Sequence, residues 1–202
     1  MEGRPVQGAL PRIAAMITEA LVTRCIRRDP KAQHELYTVL YPKLMAICCR
    51  YERNRQDAAA TLNQGFLKIL QNIDARRPEV PFEPWARRIV INTVIDAFRR
   101  NKERKAQETM DVTIDDADHR DVNGYLAHME AEAFAELLLR LPPMSRNVFN
   151  LFAIDGFAHK EIAELMGISE GTSKWHVSHA RSILQQAITA QAAAHTINAS
   201  IR

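Results

Sequence analysis

Residues 159–181 read HKEIAELMGISEGTSKWHVSHAR and combine two helical patterns with a glycine turn between them. Gly167 stands where a left-handed residue ends a helix, because glycine adopts a positive φ without a steric cost. Ser169 follows two residues later and is a good N-cap for a second helix. This order of a short amphipathic helix, a tight turn and a second helix predicts a helix-turn-helix, whose second helix enters the major groove of DNA.

The second helix of this motif has two different faces. The residues expected to pack inward are Ser173, Val177, Ala180 and Leu184. Those expected to face outward are Gly171, Lys174, Trp175, Ser178 and His179. Basic side chains would contact phosphates, while hydroxyl and imidazole groups would contact base edges. The full predicted DNA-contacting set is Ser169, Gly171, Thr172, Ser173, Lys174, Trp175, His176, Ser178, His179 and Arg181. An ordinary helical hairpin is the alternative interpretation.

Residues 84–105, PWARRIVINTVIDAFRRNKERK, form a second candidate for nucleic-acid binding. They hold seven basic and two acidic side chains, and in the whole chain arginine outnumbers lysine by 20 to 7. An arginine-rich helix face follows phosphates, and its guanidinium groups stack on bases. The predicted contact set is Trp85, Arg87, Arg88, Asn92, Asp96, Arg99 and Arg100. A solvated helix face with ion pairs is the alternative.

The rest of the chain also shows helical spacing, and no convincing strand pattern occurs. Residues 31–52, 57–73 and 84–100 carry apolar side chains on one face, with a break expected at Pro42. Shorter helical patterns, separated by prolines and glycines, follow at 130–141, 145–154, 158–166 and 170–188. The predicted fold class is all-α.

Charge is distributed unevenly along the 202 residues, although the net charge is only +3. Residues 1–110 hold 20 basic and 12 acidic side chains, residues 111–140 hold 2 and 8, and residues 141–202 hold 5 and 4. This pattern predicts two small helical domains joined by a flexible acidic linker. The expected divisions are an N-terminal extension at 1–19, a first domain at 20–105, the linker at 106–128, a second domain at 129–188 and a tail at 189–202.

Composition and motifs argue against several functional classes. The three cysteines have no CxxC spacing, no apolar run approaches about 18 residues, and the N-terminus lacks a signal-peptide pattern. We therefore expect a cytoplasmic protein without membrane insertion. The seven histidines have no metal-ligand spacing, and neither a nucleophile elbow nor a glycine-rich phosphate loop occurs. No enzymatic activity, metal or cofactor is expected.

Taken in order, these motifs resemble the extracytoplasmic-function (ECF) group of bacterial sigma-70 family RNA polymerase sigma factors. The resemblance extends from Ala20 to Ile188. CIRRDPKAQHELYTVLYPKLMAICCRY at 25–51 resembles the family's first helix pair, and DAAATLNQGFLKILQNI at 57–73 resembles its polymerase-clamp-binding helix. FEPWARRIVINTVIDAFRR at 82–100 resembles the helix that engages the −10 promoter element. The C-terminal helix-turn-helix resembles sigma domain four, which reads the −35 element.

The resemblance implies partners and roles for these segments. Core RNA polymerase is the expected protein partner, through the clamp of its β′ subunit and through its β subunit, and promoter DNA is the expected nucleic acid. The helix at 84–100 would bind the non-template strand as the duplex melts, and the proline-rich loop at 74–84 would help to capture a flipped-out base. The acidic linker would thread through the polymerase cleft. The implied polymerase-binding residues are Asp57, Leu62, Gln64, Phe66 and Lys68.

The sequence departs from the family pattern in two of these helices. In the clamp-binding helix, Ala59, Ala60 and Gln64 are among the substitutions that remove acidic side chains. We expect this loss to weaken polymerase binding by about 1 kcal/mol per desolvated charge pair. In the recognition helix, His179 replaces the usual arginine and Trp175 replaces a small residue, which predicts altered −35 recognition.

These departures predict that another DNA-bound protein assists promoter choice. Whether an anti-sigma factor or an auxiliary DNA-targeting recruiter controls the chain is left open by the sequence. The alternative function is a sigma-like helix-turn-helix transcription regulator that does not act through core polymerase. Binding to core polymerase would separate the two functions.

Overall fold

A computed structural model describes residues 17–52, 54–106 and 131–200 of the chain, and these residues form eight α-helices and no β-strand. The all-α prediction is confirmed. The helices are α1 Glu19–Ile26, α2 Pro30–Tyr51, α3 Arg55–Asn72, α4 Phe82–Ala106, α5 Ala131–Arg140, α6 Pro143–Phe149, α7 His159–Met166 and α8 Glu170–Ser200. A 3₁₀ turn, Ile73–Ala75, follows α3, and a π-helical turn, Asn150–Ile154, follows α6.

Helices α1 to α4 form an N-terminal group, and three of them begin at polar N-caps. The side chains of Thr18, Asp29 and Asn54 accept hydrogen bonds from backbone N–H groups in the first turns of α1, α2 and α3, at 3.2, 2.9 and 2.8 Å. Such caps satisfy donors that have no partner within the helix. The apolar faces then meet in a shared core, whose fully buried members include Leu36, Leu40, Leu44, Leu62, Ile69 and Val90.

The break predicted at Pro42 is wrong, because α2 is continuous for 22 residues from Pro30 to Tyr51. Proline removes one backbone donor and crowds the carbonyl four residues earlier. Leu40 and Leu44 on either side of it are 0% and 1% exposed, so their burial outweighs the local cost of the proline. Pro42 itself lies on the exposed face of α2.

Helices α5 to α8 form a C-terminal group around a second core. This core consists of Leu137, Leu138, Leu141, Phe149, Ala180 and Leu184. The tail predicted at 189–202 continues α8 as far as Ser200. The N-terminal extension up to residue 16 and all but the first residue of the acidic linker predicted at 106–128 lie outside the described residues.

The two helical groups pack against one another through one continuous core. Val148, Leu151, Phe157 and Ile162 from the C-terminal group belong to the same buried cluster as the core of α1–α4. This packing brings the π-helical turn and α7 against the ends of α2 and the polar face of α4. The arginine-rich helix and the helix-turn-helix are therefore neighbours in the structure.

Candidate nucleic-acid interface

The turn of the helix-turn-helix has the predicted local geometry. Gly167 is left-handed, with φ 66° and ψ 42°, and its N–H donates to the Ala163 carbonyl. Ser169 Oγ accepts a hydrogen bond from the backbone N–H of Thr172 at 3.0 Å. Glu161 closes the other end of α7 by accepting a 3.0 Å hydrogen bond from the N–H of Ala158. These contacts fix the angle between α7 and α8, and Ile168 in the turn packs against the core.

The second helix of the motif, α8, is buried on the predicted seam and also beyond it. Val177, Ala180 and Leu184 are 3%, 0% and 0% exposed. Ser173 is fully buried and its hydroxyl contacts His159 Nδ1 at 2.9 Å, so its assignment to the DNA-contacting set is corrected. Ser178 was expected to face outward and is 7% exposed. Both serine side chains are therefore buried within the protein and do not face solvent.

An aromatic cluster occupies the side of α8 next to α6. The rings of Trp175 and His179 stack at 4.7 Å, with an angle of 20° between their planes. Ser145 Oγ on α6 lies 2.9 Å from Nδ1 of His176 and 3.3 Å from Nδ1 of His179. Ser145 is 1% exposed, and sequence reasoning missed it because its role depends on the packing of α6 against α8. Gly171 and Lys174 are exposed at the start of α8.

Three arginines on the polar face of α4 contact the C-terminal group. Arg87 lies 3.2 Å from Asp155, Arg88 lies 2.9 Å from Glu161, and Arg99 lies 3.5 Å from the Leu165 carbonyl. Arg88 also lies over the Phe157 ring, with its guanidinium carbon 5.2 Å from the ring centre.

The guanidinium groups predicted to bind DNA are thus only partly available in this arrangement. The side chains of Arg87 and Arg88 are 42% and 61% exposed. Arg100 is exposed and belongs to no ion pair among the described residues.

A cleft of about 460 Å³ lies between α3 and α4. Its lining consists of Lys68, Asn72, Ala75, Trp85, Ile89, Asn92 and Asp96. Asn92 Oδ1 is buried and has no hydrogen-bond partner among the described residues, whereas Lys68 and Asp96 form a 3.2 Å ion pair at the same cleft. The cleft therefore offers an aromatic ring, an apolar wall and the amide side chain of Asn92.

The loop before α4 is held by Arg76, which sequence reasoning did not identify. Its guanidinium donates to the Val80 carbonyl at 2.6 Å and to Glu19 at 2.6 Å, and its side chain is 4% exposed. Its guanidinium carbon lies 5.6 Å from the centre of the Phe82 ring. Phe82 packs in turn against Trp85 with ring centres 5.4 Å apart. Arg76 thus fixes the entrance of the cleft.

Helix α3 separates the predicted polymerase-binding residues into two groups. Asp57 and Gln64 are exposed, and Lys68 is partly exposed. Leu62 and Phe66 are 0% and 9% exposed, and their assignment to the polymerase-binding surface is corrected because both fill the core. Leu67, which is 56% exposed, is the large apolar side chain on the outer face and was missed. Its position, away from the apolar seam of α3, was the signal that could have identified it.

The described part of the chain contains no cluster of three or more His, Cys, Asp or Glu residues that could hold a metal ion. Within the same residues, no helix is long and apolar enough to cross a membrane.

Two family models match the sequence and together cover more than half of it. Residues 36–104 match sigma-70 region 2, and residues 131–184 match sigma-70 region 4. The chain belongs to the sigma-70 family. The first match contains α3 and α4 with their cleft, and the second contains the helix-turn-helix.

Curated relatives place this sigma factor in the ECF group. It is 27% identical over 181 residues to the ECF RNA polymerase sigma-E factor of Haemophilus influenzae, covering 84% of this chain and 94% of the relative. It is 29% identical over 149 residues to the ECF sigma factor EcfG of Rhodopseudomonas palustris, covering 71% and 77%. The sigma factor RpoE of Bartonella quintana, solved with the anti-sigma factor NepR, matches with a TM-score of 0.49 and 22% identity over 77% of this chain and 96% of that one.

These findings support a transcription initiation factor over a sigma-like regulator that works without polymerase.

Proposed function

We propose that this ECF sigma factor binds core RNA polymerase, brings it to promoters and holds the −10 strand on α4 as the duplex melts. The observation that carries this proposal is the cleft between α3 and α4. An arginine-rich helix beside an aromatic cleft suits a single strand, because guanidinium groups bind phosphates while the ring stacks on a base. The chain needs no chemistry of its own for this function, and we propose that it acts in the cytoplasm, where promoter DNA and polymerase meet.

The cleft is suited to one unstacked base. Trp85 supplies the stacking surface, and Asn92 in the lining of the cleft supplies an amide for a hydrogen bond to the base. A base leaving the duplex loses its stacking and pairing, and such a pocket repays part of that cost. The loop fixed by Arg76 keeps the entrance formed before the strand arrives.

The helix-turn-helix is proposed to read the −35 element. Gly171 and Lys174 at the exposed start of α8 would enter the major groove first. Trp175 and His179, whose rings stack, would contact the groove next. Ser145 on α6 holds the imidazoles of His176 and His179. Residues 141–202 hold only one basic side chain in excess, so this half binds DNA weakly by itself. Because this segment binds DNA weakly, a DNA-bound recruiter is one candidate partner, and an anti-sigma factor is the other.

The outer face of α3 is proposed to contact the β′ clamp of polymerase. Ala60, Gln64 and Leu67 are exposed at i, i+4 and i+7, which places them in one stripe. Leu67 would be the apolar anchor at the C-terminal end of this stripe. We further propose that residues 20–105 and 129–188 act as separate domains on polymerase, with the acidic linker at 106–128 against the cleft and the β subunit.

In vitro transcription with core polymerase from the same cell and a library of promoter fragments tests this function. The wild-type chain should direct initiation from a defined subset of fragments. Asn92→Ala should keep polymerase binding and lower open-complex formation by about tenfold, which corresponds to one lost hydrogen bond in a desolvated site.

Gln186→Ala, which removes an exposed amide from α8, is the matched control and should behave like wild type. A wild-type chain that fails to bind core polymerase would refute the proposal. Unchanged melting by Asn92→Ala would refute the role of the cleft.

A further inference from the structure

Ser145 is the centre of a side-chain cluster that links α6 to the DNA-reading helix α8. Its Oγ lies 2.9 Å from Nδ1 of His176 and 3.3 Å from Nδ1 of His179. The indole of Trp175 contacts both imidazoles. It meets His176 edge to face at 4.9 Å between ring centres and stacks on His179 at 4.7 Å. One hydroxyl therefore holds two imidazoles and, through them, the indole.

Helix α6 gives this hydroxyl a fixed position. The helix begins at Pro143 after Pro142, and both prolines restrict the backbone that enters it. Ser145 is 1% exposed, and Val148 and Phe149 on the same short helix are 0% and 1% exposed. Because the interior is close-packed, a helix anchored in this way does not shift without disturbing the core. The rings of α8 are thus oriented against a rigid support.

The two contacts of the hydroxyl require different tautomers of the two neutral imidazoles. Ser145 has one hydroxyl proton, and the imidazoles are its only hydrogen-bond partners among the described residues. When the hydroxyl donates to one Nδ1, the other ring must carry a proton on Nδ1 and donate to Oγ. Two rings of the same tautomer would leave either an Nδ1 or the hydroxyl proton without a partner in a buried site. His176 and His179 are therefore opposite tautomers.

This arrangement changes the chemistry that α8 offers to DNA. Trp175 and His179 are partly exposed, and they stand where the family pattern has a small residue and an arginine. A guanidinium selects guanine, because its two donors match the O6 and N7 acceptors. An imidazole of fixed tautomer has at most one outward donor, and the stacked rings present a mainly apolar face. The apolar group of the major groove is the C5 methyl of thymine.

We infer that Ser145 is a positioning residue for promoter specificity: it holds the stacked rings of His179 and Trp175 in the plane that contacts a thymine methyl of the −35 element. The inference rests on the proposed −35 function of the helix-turn-helix. Ser145 does not touch DNA itself, because it is buried. Its hydroxyl acts through the imidazoles, and the base pair that the stacked rings select is A·T.

Nitrogen-15 NMR of labelled histidines in the full chain tests this arrangement without DNA. Long-range proton–nitrogen correlations identify the tautomer of each ring, and His176→Gln and His179→Gln assign the two signals. The wild type at mildly alkaline pH should show one ring protonated on Nδ1 and the other on Nε2. Ser145→Ala should remove this difference, whereas Thr189→Ala, which removes an exposed hydroxyl from α8, should preserve it. The same tautomer in both wild-type rings would overturn the inference.

Transcription from promoters that carry single thymine-to-uracil changes tests the contact with DNA. This change removes only the C5 methyl group. With core polymerase from the same cell, the wild-type chain should lose about fourfold in initiation at one −35 position, which corresponds to one buried methyl group. Ser145→Ala should respond much less to the same change and should keep the wild-type preference at the −10 element. A wild type that tolerates uracil at every −35 position contradicts the inference.

A double-mutant cycle separates positioning from stability. His179→Ala changes a partly exposed side chain and should lose the response to uracil as Ser145→Ala does. If Ser145 acts through His179, both substitutions together should cost no more specificity than either alone. Additive losses would show that Ser145 does not act through this ring. If circular dichroism shows that Ser145→Ala is unfolded, Ser145→Cys replaces it, because a thiol fills the site but is a weak hydrogen-bonding group.

The same measurements distinguish this inference from the proposed function. If the wild type has a −35 preference that neither uracil nor Ser145→Ala alters, the inference fails and the proposed function stands. If the wild type has no preference at the −35 element, the proposed −35 role fails and the specificity role of Ser145 fails with it. The NMR result then describes only the packing of α6 against α8.

Discussion

Arg100 differs from the other arginines of α4 because it is exposed and takes part in no ion pair among the described residues. Arg87 and Arg88 must break an ion pair with a carboxylate before they bind a phosphate, whereas Arg100 has no such ion pair to break. Their substitution has two effects, loss of the proposed DNA contact and loss of an ion pair with the C-terminal group. Arg100 is therefore the residue at which the nucleic-acid role of α4 can be measured in isolation.

Replacement of Arg100 by alanine should weaken binding to single-stranded DNA without affecting folding. One lost phosphate contact should lower the slope of log affinity against log salt by about 0.7. Titrations at several salt concentrations measure both quantities. Arg27→Ala, which removes an exposed arginine from the end of α1, is the control of equal charge. Identical slopes for the two variants would show that Arg100 does not contact the strand.

The contact between α3 and α4 depends on one glycine. A Cβ atom at Gly65 would lie 2.9 Å from Val90 Cγ2 and 3.4 Å from Val90 Cα. Because a β-branched side chain is rigid, Val90 cannot move away without a shift of the helix. The close approach brings the two helices together along the cleft that holds Asn92 and Trp85.

Substitution of Gly65 by alanine should therefore destabilise the protein by about 1–3 kcal/mol. Gly171→Ala is the matched control, because a Cβ there would lie 3.7 Å from its nearest neighbour, Ser169 Oγ, in ordinary contact. Alanine at that helical position should be neutral or stabilise the fold by up to about 1 kcal/mol. Chemical denaturation followed by circular dichroism measures both variants, and equal stabilities would contradict the assigned role of Gly65.

At the level of the whole molecule, the continuous core joins two groups that the sequence divides. Trp85 lies in the N-terminal group and Trp175 in the C-terminal group, and the chain has no other tryptophan. Each group thus carries its own fluorescence reporter. The shared cluster around Leu151 and Ile162 predicts that the groups unfold together.

Single-tryptophan variants, Trp85→Phe and Trp175→Phe, should show the same urea midpoint. Addition of Asp155→Asn to each should lower both midpoints, because it weakens a buried ion network between the groups while the shared core still couples them. Fluorescence and circular dichroism recorded on the same samples provide the comparison. Separate midpoints without the Asp155 substitution would mean that the interface does not couple the groups.

Local sequence patterns were sufficient to predict most of the local structure of this sigma factor. Gly167 and Ser169 predicted the turn, and apolar spacing predicted the helices, since caps, glycine conformations and amphipathic faces depend on residues within one or two turns. The sequence also identified Asn92 and the basic face of α4. Local rules failed at Pro42, because long-range burial on both sides of the proline outweighed its local cost.

Which of these side chains are accessible depends on tertiary packing. Ser178 and Leu62 were assigned to contact surfaces and are buried, whereas Leu67 was overlooked and is exposed. No sequence pattern predicted a role for Asp155, a single acidic residue before a glycine. Its carboxylate nevertheless binds residues more than 100 positions earlier in the chain. The physical reason is that burial and ion pairing depend on how helices distant in sequence pack together, which no local pattern encodes.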